Sequence, residues 1–203
     1  MYKKYLKRVI DIVLSGFALI VCSPLLVIIF ILELLIHGKP AMYHSVRPGY
    51  KEKPFHIYKF RTMTNDRDQS GKLLPEEQRV TKFGKLLRKT SLDELPELFN
   101  IFKGDMSIIG PRALLTKYLE LYPEKYKRRH DVRPGLACVK LKNDGKPWTW
   151  REQFENDIFY VDNMSFALDI KMIFAIIRTV FEADETRSVG NRAEFNGKNL
   201  DEI

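Results

Sequence analysis

Hydrophobic positions are distributed very unevenly along the chain. Between Asp11 and Glu33 lie 21 uncharged residues, Ile12 to Leu32. As a straight helix that run is roughly 32 Å long, enough to cross the hydrocarbon core of a bilayer. It is too long for the apolar region of a cleavable signal, and no small-x-small cleavage site follows it. Ser23-Pro24 sits mid-run, where proline deletes a helical hydrogen bond and bends the axis, and a serine hydroxyl can satisfy a backbone group freed by the break. Lys3, Lys4, Lys7 and Arg8 precede the run, and Lys39, Arg47, Lys51 and Lys53 follow it. The positive-inside rule therefore wants both flanks in the cytoplasm. A re-entrant helix-break-helix over residues 1–37, with Ser23 and Pro24 at the break, meets that demand. A proline-kinked single pass is the competing reading, and a third, a buried core helix, would need cover that 203 residues could barely supply.

After Gly38 the period shortens. Met42 to Val46 and Phe55 to Phe60 read as two short strands joined through Arg47-Pro48-Gly49-Tyr50, a β-hairpin. Asn65 to Pro75 is polar and expected to be a mobile loop. Val80 to Lys89 has the spacing of a basic amphipathic helix suited to anionic headgroups. Gly104 marks a helix end, and Met106 to Ile109 leads into the tight turn Gly110-Pro111-Arg112. Leu114 to Tyr122 predicts a short helix, Lys125 to Arg129 a membrane-facing or solvated basic patch, and Ser165 to Phe181 an amphipathic helix too charged to span. Trp148 and Trp150 suit headgroups, bases or a core equally. These elements predict a helix-rich α+β protein: residues 1–37 in the membrane, a globular domain over 38–183 with a small β-hairpin and interfacial helices, and a polar tail over 184–203.

Composition adds a preference for anions. Lys+Arg 34 against Asp+Glu 26 gives a net charge of +8, pointing to nucleic acid, anionic lipid or phosphorylated substrates. Cys22 and Cys138 have no metal-ligand spacing and predict no disulfide. The four histidines are scattered and read as structural or surface residues.

The chemistry concentrates between Arg88 and Asn100. Asp93 and Glu94 are adjacent carboxylates within a few residues of Arg88 and Lys89, and Ser91-x-x-Glu94 has capping-box spacing. Asp93 then sits at a helix entrance, where unpaired N–H groups and the helix dipole favour a phosphate. Pro96 is expected to push Leu95 out of the α region. A stabilising helix start gives the same residues without any chemistry. Lys59 and Arg61, two apart at the end of the second strand, fall on one face and suit a phosphate, although a lysine-guarded edge strand looks alike. Arg112 and, more weakly, Arg133 of Val132-Arg133-Pro134-Gly135 are presented on turns and can grip phosphate oxygens.

In combination, Lys59-Phe60-Arg61-Thr62-Met63, Arg79 to Gly84, Leu87 to Asn100, Lys103 to Arg112 and Arg133 to Leu136 resemble, in order and spacing, the bacterial sugar transferases, which are monotopic phosphoglycosyl transferases. The resemblance runs from the membrane segment to about Phe181. It implies transfer of a sugar 1-phosphate from a UDP-sugar to undecaprenyl phosphate with release of UMP, using Mg2+. By the same resemblance Asp93 is the nucleophile of a covalent phosphosugar intermediate, and Asp93 and Glu94 are the metal candidates. Lys59, Arg61, Arg88, Arg112 and Arg133 would hold phosphates. Asp157, ahead of Tyr160-Val161, matches a family element and is a further possible site residue, whereas the family's tryptophan near Met164 is missing. Among the small single-domain members the chain is most like those that use UDP-N,N'-diacetylbacillosamine in protein N-glycosylation. The implied place is the cytoplasmic face of the bacterial inner membrane, among its phospholipids and with no nucleic acid partner. The competing readings are a membrane-anchored basic adaptor without catalysis, and a single-displacement transferase in which Asp93 only holds Mg2+.

Overall fold

The computed structural model describes residues 1–138, 148–181 and 193–202, for 177–181 the backbone only. A short π-helical turn, Tyr2–Leu6, leads into α1, Lys7–His37. Next come β1 (Met42–Pro48) and β2 (Pro54–Phe60), then α2 (Glu76–Arg79), α3 (Lys82–Thr90) and α4 (Glu97–Lys103). β3 (Ser107–Ile109), α5 (Glu124–Lys127), β4 (Gly135–Ala137), α6 (Trp150–Asn163) and α7 (Phe166–Phe181) complete the described elements. The helix-rich α+β expectation holds. β1 and β2 form the expected antiparallel hairpin, with Met42 opposite Phe60 and Arg47 opposite Phe55. β3 and β4 pair in parallel, which sequence reading did not anticipate. Their approach is close enough that a Cβ on Gly135 would lie 2.1 Å from the Gly110 nitrogen.

α1 is one continuous helix with Pro24 inside it, not two helices around a break. The reason is local. Proline lacks the N–H that would reach the Ile20 carbonyl, and Ser23 Oγ donates to that same oxygen at 2.8 Å. The outward side is uncovered and apolar, with Val13, Phe17, Ile20, Val21 and Leu35 all more than half exposed. The other side is tied to the folded body at both ends. At the start, Lys7 pairs with Asp169 of α7 at 2.9 Å, Asp11 accepts from Ser107 Oγ at 2.7 Å, and Arg8 donates to the carbonyls of Ile101 and Phe102. At the finish, His37 lies 2.7 Å from Glu33 and 3.0 Å from Thr81, and Arg61 donates to the His37 carbonyl. Ile29 packs there with Phe60 and Leu87. Under the middle, Leu19, Val27 and Phe30 face Tyr58, Pro96 and Phe99 across an apolar cavity of about 430 Å³.

Several local expectations change. Ser91 precedes the 3-10 turn Leu92–Glu94 but its side chain makes no capping hydrogen bond: it adopts the left-handed region at φ 56° and closes α3, so the expected capping box is absent. A capping box does form at Thr149 and Glu152, opening α6. Leu95 stays in the right-handed α region before Pro96, held by its N–H to the Leu92 carbonyl and by packing into two core clusters. Residues 65–75 are not featureless, since Arg67 and Leu73 form a bridge. The helix expected over 114–122 is a 3-10 turn, Thr116–Leu121. Within the basic patch, Arg129 is fully buried rather than solvated.

The tail is also firmer than its polarity suggests. Residues 184–192 lie outside the described residues, but 193–202 pack back on the domain. Phe195 is buried among Tyr118, Tyr122, Trp150 and Phe154. Trp150 donates its indole N–H to the Ala193 carbonyl, and Arg151 pairs with both oxygens of Asp201. Trp150 is therefore a core residue.

Candidate active site

Four segments converge on the turn Leu92–Glu94, a single 3-10 turn between α3 and α4. β2 brings Lys59, the last turn of α3 brings Arg88, the first residue of α4 is Glu97, and the chain leaving β3 brings Arg112. The approach of α3 is fixed by Gly84, where a Cβ would stand 2.0 Å from the Thr62 carbonyl oxygen. That contact lets Arg88 Nε reach Thr62 Oγ1 at 2.9 Å, and the same guanidinium ion-pairs with Glu76 on α2.

Glu94 is clamped. Its Oε1 receives Lys59 Nζ at 2.6 Å and Arg112 Nη2 at 2.5 Å. Burial works to raise its pKa, but Arg112 and Lys59 outweigh burial and hold the carboxyl below its ordinary value. Asp93 is different. It has no ion pair or hydrogen bond to another side chain among the described residues. Burial, followed by the charge of Glu94, raises its pKa, against the partial opposition of Lys59 and Arg88. Glu97 lies behind the pair with Lys59 Nζ at 3.1 Å, and burial pushes its carboxyl up to about 7.

Lys59, Asp93, Glu94 and Arg112 are thus brought together, with Arg88 at the edge. Three other predicted residues are employed elsewhere. Arg61 donates to the carbonyls of Met63 and His37 and fastens α1 to the strand end. The expected shared face with Lys59 fails because β2 ends at Phe60, so strand alternation no longer applies one residue later. Arg133 donates to the Gly104 carbonyl at 2.9 Å and lies over the Tyr50 ring. Asp157 is 1% exposed and receives Nε and Nη2 of Arg129 at 3.0 and 2.7 Å. Arg129 in turn donates to Tyr122 Oη and to the Arg112 carbonyl, so Asp157 supports the backbone behind Arg112. Sequence reading missed Glu97, which follows Glu94 at helical spacing, and the buried Arg129, which no local pattern marks.

Among the described residues no cluster of three or more His, Cys, Asp or Glu side chains could enclose a metal. Asp93 and Glu94 suit a hard cation that keeps most of its ligands as water and substrate oxygens. Glu94 already has one oxygen between two cations, which leaves Asp93 as the carboxylate without a partner.

The arrangement of one unengaged carboxylate beside a cation-clamped one, ringed by lysine and arginine, agrees with known proteins. The family model described as bacterial sugar transferase matches residues 2–183. An uncharacterized sugar transferase of Bacillus subtilis, EpsL, is 46% identical over 179 residues, 88% of this chain and 89% of that protein. The UDP-N-acetylgalactosamine-undecaprenyl-phosphate N-acetylgalactosaminephosphotransferase of Aeromonas hydrophila is 36% identical over 184 residues, covering 87% of this chain and 44% of its own. The UDP-glucose:undecaprenyl-phosphate glucose-1-phosphate transferase of Klebsiella pneumoniae is 37% identical, covering 84% of this chain and 39% of its own. The chain therefore spans less than half the length of these two relatives whose names state a reaction.

Proposed function

The chain belongs to the bacterial sugar transferase family, and from that premise we propose that it is an enzyme moving a sugar 1-phosphate from a UDP-sugar to undecaprenyl phosphate, with release of UMP. The observation that carries the reading is the division of labour between Asp93 and Glu94. Glu94 is fixed by Lys59 and Arg112, and Asp93 keeps its carboxylate available. An anionic diphosphate can approach it because Lys59, Arg88 and Arg112 neutralise the field around it.

In the first step an Asp93 carboxylate oxygen forms a bond to the β-phosphorus, and the bond from that phosphorus to the bridging oxygen breaks. The electron pair leaves on UMP, and Asp93 carries the sugar phosphate as an acyl phosphate. In the second step a phosphate oxygen of undecaprenyl phosphate bonds to the same phosphorus and the bond to Asp93 breaks. The product is undecaprenyl diphosphate sugar, and the carboxylate is free again. Mg2+ suits Asp93 and Glu94 together with substrate oxygens, and when bound it would neutralise charge developing on the diphosphate.

The placement of α1 supports a monotopic arrangement on the cytoplasmic face of the bacterial inner membrane. Thirty-one helical residues would be roughly 46 Å long if straight, yet both ends are tied to one folded body, by Lys7 to Asp169 and by His37 to Thr81 and Arg61. A helix crossing the bilayer would put those ends on opposite sides. Its exposed apolar side then faces phospholipid acyl chains, and the domain stays where lipid phosphate and soluble nucleotide meet.

The donor is the open choice. The names of the relatives state different sugars, and among the described residues no side chain around Asp93 identifies one. General likeness to the family members that use it makes UDP-N,N'-diacetylbacillosamine the first donor to offer, which would place the chain at the start of protein glycosylation.

The test is the intact mass of detergent-extracted protein after brief incubation with Mg2+ and a panel of UDP-sugars, without lipid acceptor. A gain of one sugar phosphate that is absent in Asp93→Asn is expected. Protein that turns over with acceptor but never gains mass without it would instead be a single-displacement enzyme, and protein with no turnover at all would be an adaptor.

A further inference from the structure

Behind Glu94 the structure holds a second, smaller cavity of about 120 Å³, whose wall includes Arg47, Lys59, Glu97 and Arg112 over an apolar floor containing Met106 and Leu136. One buried donor of this wall, Arg47 Nε, has no hydrogen-bond partner among the described residues. Glu97 is 3% exposed, and its nearest cation is Lys59 Nζ at 3.1 Å. A buried guanidinium N–H without a partner, on the wall of a cavity that Lys59 and Arg112 also line, is what a bound acceptor would satisfy. Three cations stand against Glu94 and Glu97, so the fitting group is an anion.

We infer that this cavity seats a phosphate monoester and that Arg47 is a substrate-binding residue. The inference rests on the functional reading above. The volume admits a tetrahedral phosphate and is too small for a nucleoside or a sugar ring with it. A guanidinium offers such an oxyanion a planar fork of donors, which a lysine does not. The placement fits as well. Arg47 and Arg112 share the wall of this cavity, and Arg112 Nη2 is 2.5 Å from Oε1 of Glu94, the neighbour of Asp93.

In-line displacement gives such a seat a meaning. When Asp93 attacks the β-phosphorus, the leaving oxygen must depart opposite it, carrying the phosphate of UMP. When the acceptor attacks the phosphoryl-Asp93, its phosphate must enter opposite Asp93 too. Both anions are phosphate monoesters, and one seat serves both half-reactions.

The test uses the full chain in detergent. UMP, uridine and inorganic phosphate are titrated calorimetrically into wild type, Arg47→Gln and Arg47→Lys, and sugar-phosphate adduct formation is followed by mass in the same preparations. Arg47→Gln is expected to weaken UMP at least tenfold while leaving uridine unchanged, and Arg47→Lys, which keeps the charge, to weaken it several-fold. In wild type, UMP should raise the apparent KM for a short-chain polyprenyl phosphate, and in Arg47→Gln this competition should fade. UMP affinity unchanged in Arg47→Gln, or in Arg47→Lys if the glutamine variant does not fold, overturns the inference. UMP that binds the wild type without raising the apparent KM for the polyprenyl phosphate restricts the seat to the nucleotide and overturns the shared role. A wild type that neither binds UMP nor forms the adduct refutes the functional reading itself, a result distinct from either.

Discussion

Asp157 offers the sharpest separation between a residue that touches substrate and one that supports the fold. Its side chain and that of Arg129 are 2% and 1% exposed, and Asp157→Ala would strand a guanidinium whose Nε and Nη2 both point at the lost carboxylate. Removing one partner of a buried pair costs about 3–5 kcal/mol. For a chain of this size each kcal/mol moves Tm by about 2–4 °C, so a fall of roughly 6–20 °C is expected. Thermal unfolding followed by tryptophan fluorescence in detergent suits the purpose, because Trp150 packs on Phe154, which shares the Arg129 environment. The double variant Arg129→Met, Asp157→Leu removes both charges at similar volume and should recover most of the lost Tm. It should not recover UMP release, because the Arg112 carbonyl loses the donor that holds it. If Asp157→Ala unfolds within about 2 °C of wild type, less than the shift from 1 kcal/mol, yet releases no UMP, Asp157 works on substrate and the supporting role is wrong.

The pH dependence of stability carries two opposed contributions. Glu97, facing Lys59, Glu94 and Arg112, has its carboxyl pushed up from 4.5 to about 7, so its contribution is complete below 4.5 and declines as pH rises to about 7. Burial pushes His130 down from 6.5 to about 4, so its contribution is complete above 6.5 and is lost as pH falls towards 4. Glu97→Gln should flatten the first slope and His130→Gln the second, measured as Tm across pH 4 to 8, and a variant that leaves its slope intact contradicts the assignment. Phe195→Ala should lower Tm by roughly the 6–20 °C that 3–5 kcal/mol implies, while UMP release per folded molecule persists; an unchanged Tm would mean the tail does not pack as described. Ser23→Ala should cost about 1 kcal/mol by leaving the Ile20 carbonyl without a donor. In a Pro24→Ala background, where the backbone donor returns, that cost should vanish, and a cycle with no coupling would remove the hydroxyl from the account of α1.

The sequence made the hairpin, the long apolar helix, the helix end at Gly104 and the quartet Lys59, Asp93, Glu94 and Arg112 legible, because each is written in local pattern or in an ordered motif series. What it hid depends on partners distant in the chain. Asp157 reads like any acid ahead of an apolar helix face until Arg129, 28 residues earlier, is seen against it. Arg61 shares a face with Lys59 only while the strand continues, and the strand stops between them. Ser91 carries capping-box spacing, but it closes α3 in a left-handed conformation and its side chain makes no capping hydrogen bond to the 3-10 turn that follows. The tail looks like solvent-facing linker because one phenylalanine, Phe195, does most of its burying.

That conformation of Ser91 also explains how two adjacent carboxylates come to differ. With α3 closed at Ser91, the next three residues form a 3-10 turn, in which successive side chains are rotated by about 120°. Neighbours in such a turn point in different directions, although Lys59 acts on both. Glu94 turns toward the hairpin and the β3 exit, into the reach of Lys59 and Arg112, while Asp93 stays beside the end of α3 that carries Arg88. A Ser91-capped α-helix would have given both acids the role of stabilising its N-terminus. The tight turn instead anchors one and releases the other, and only the released carboxylate can form and break a bond to phosphorus without first surrendering an ion pair.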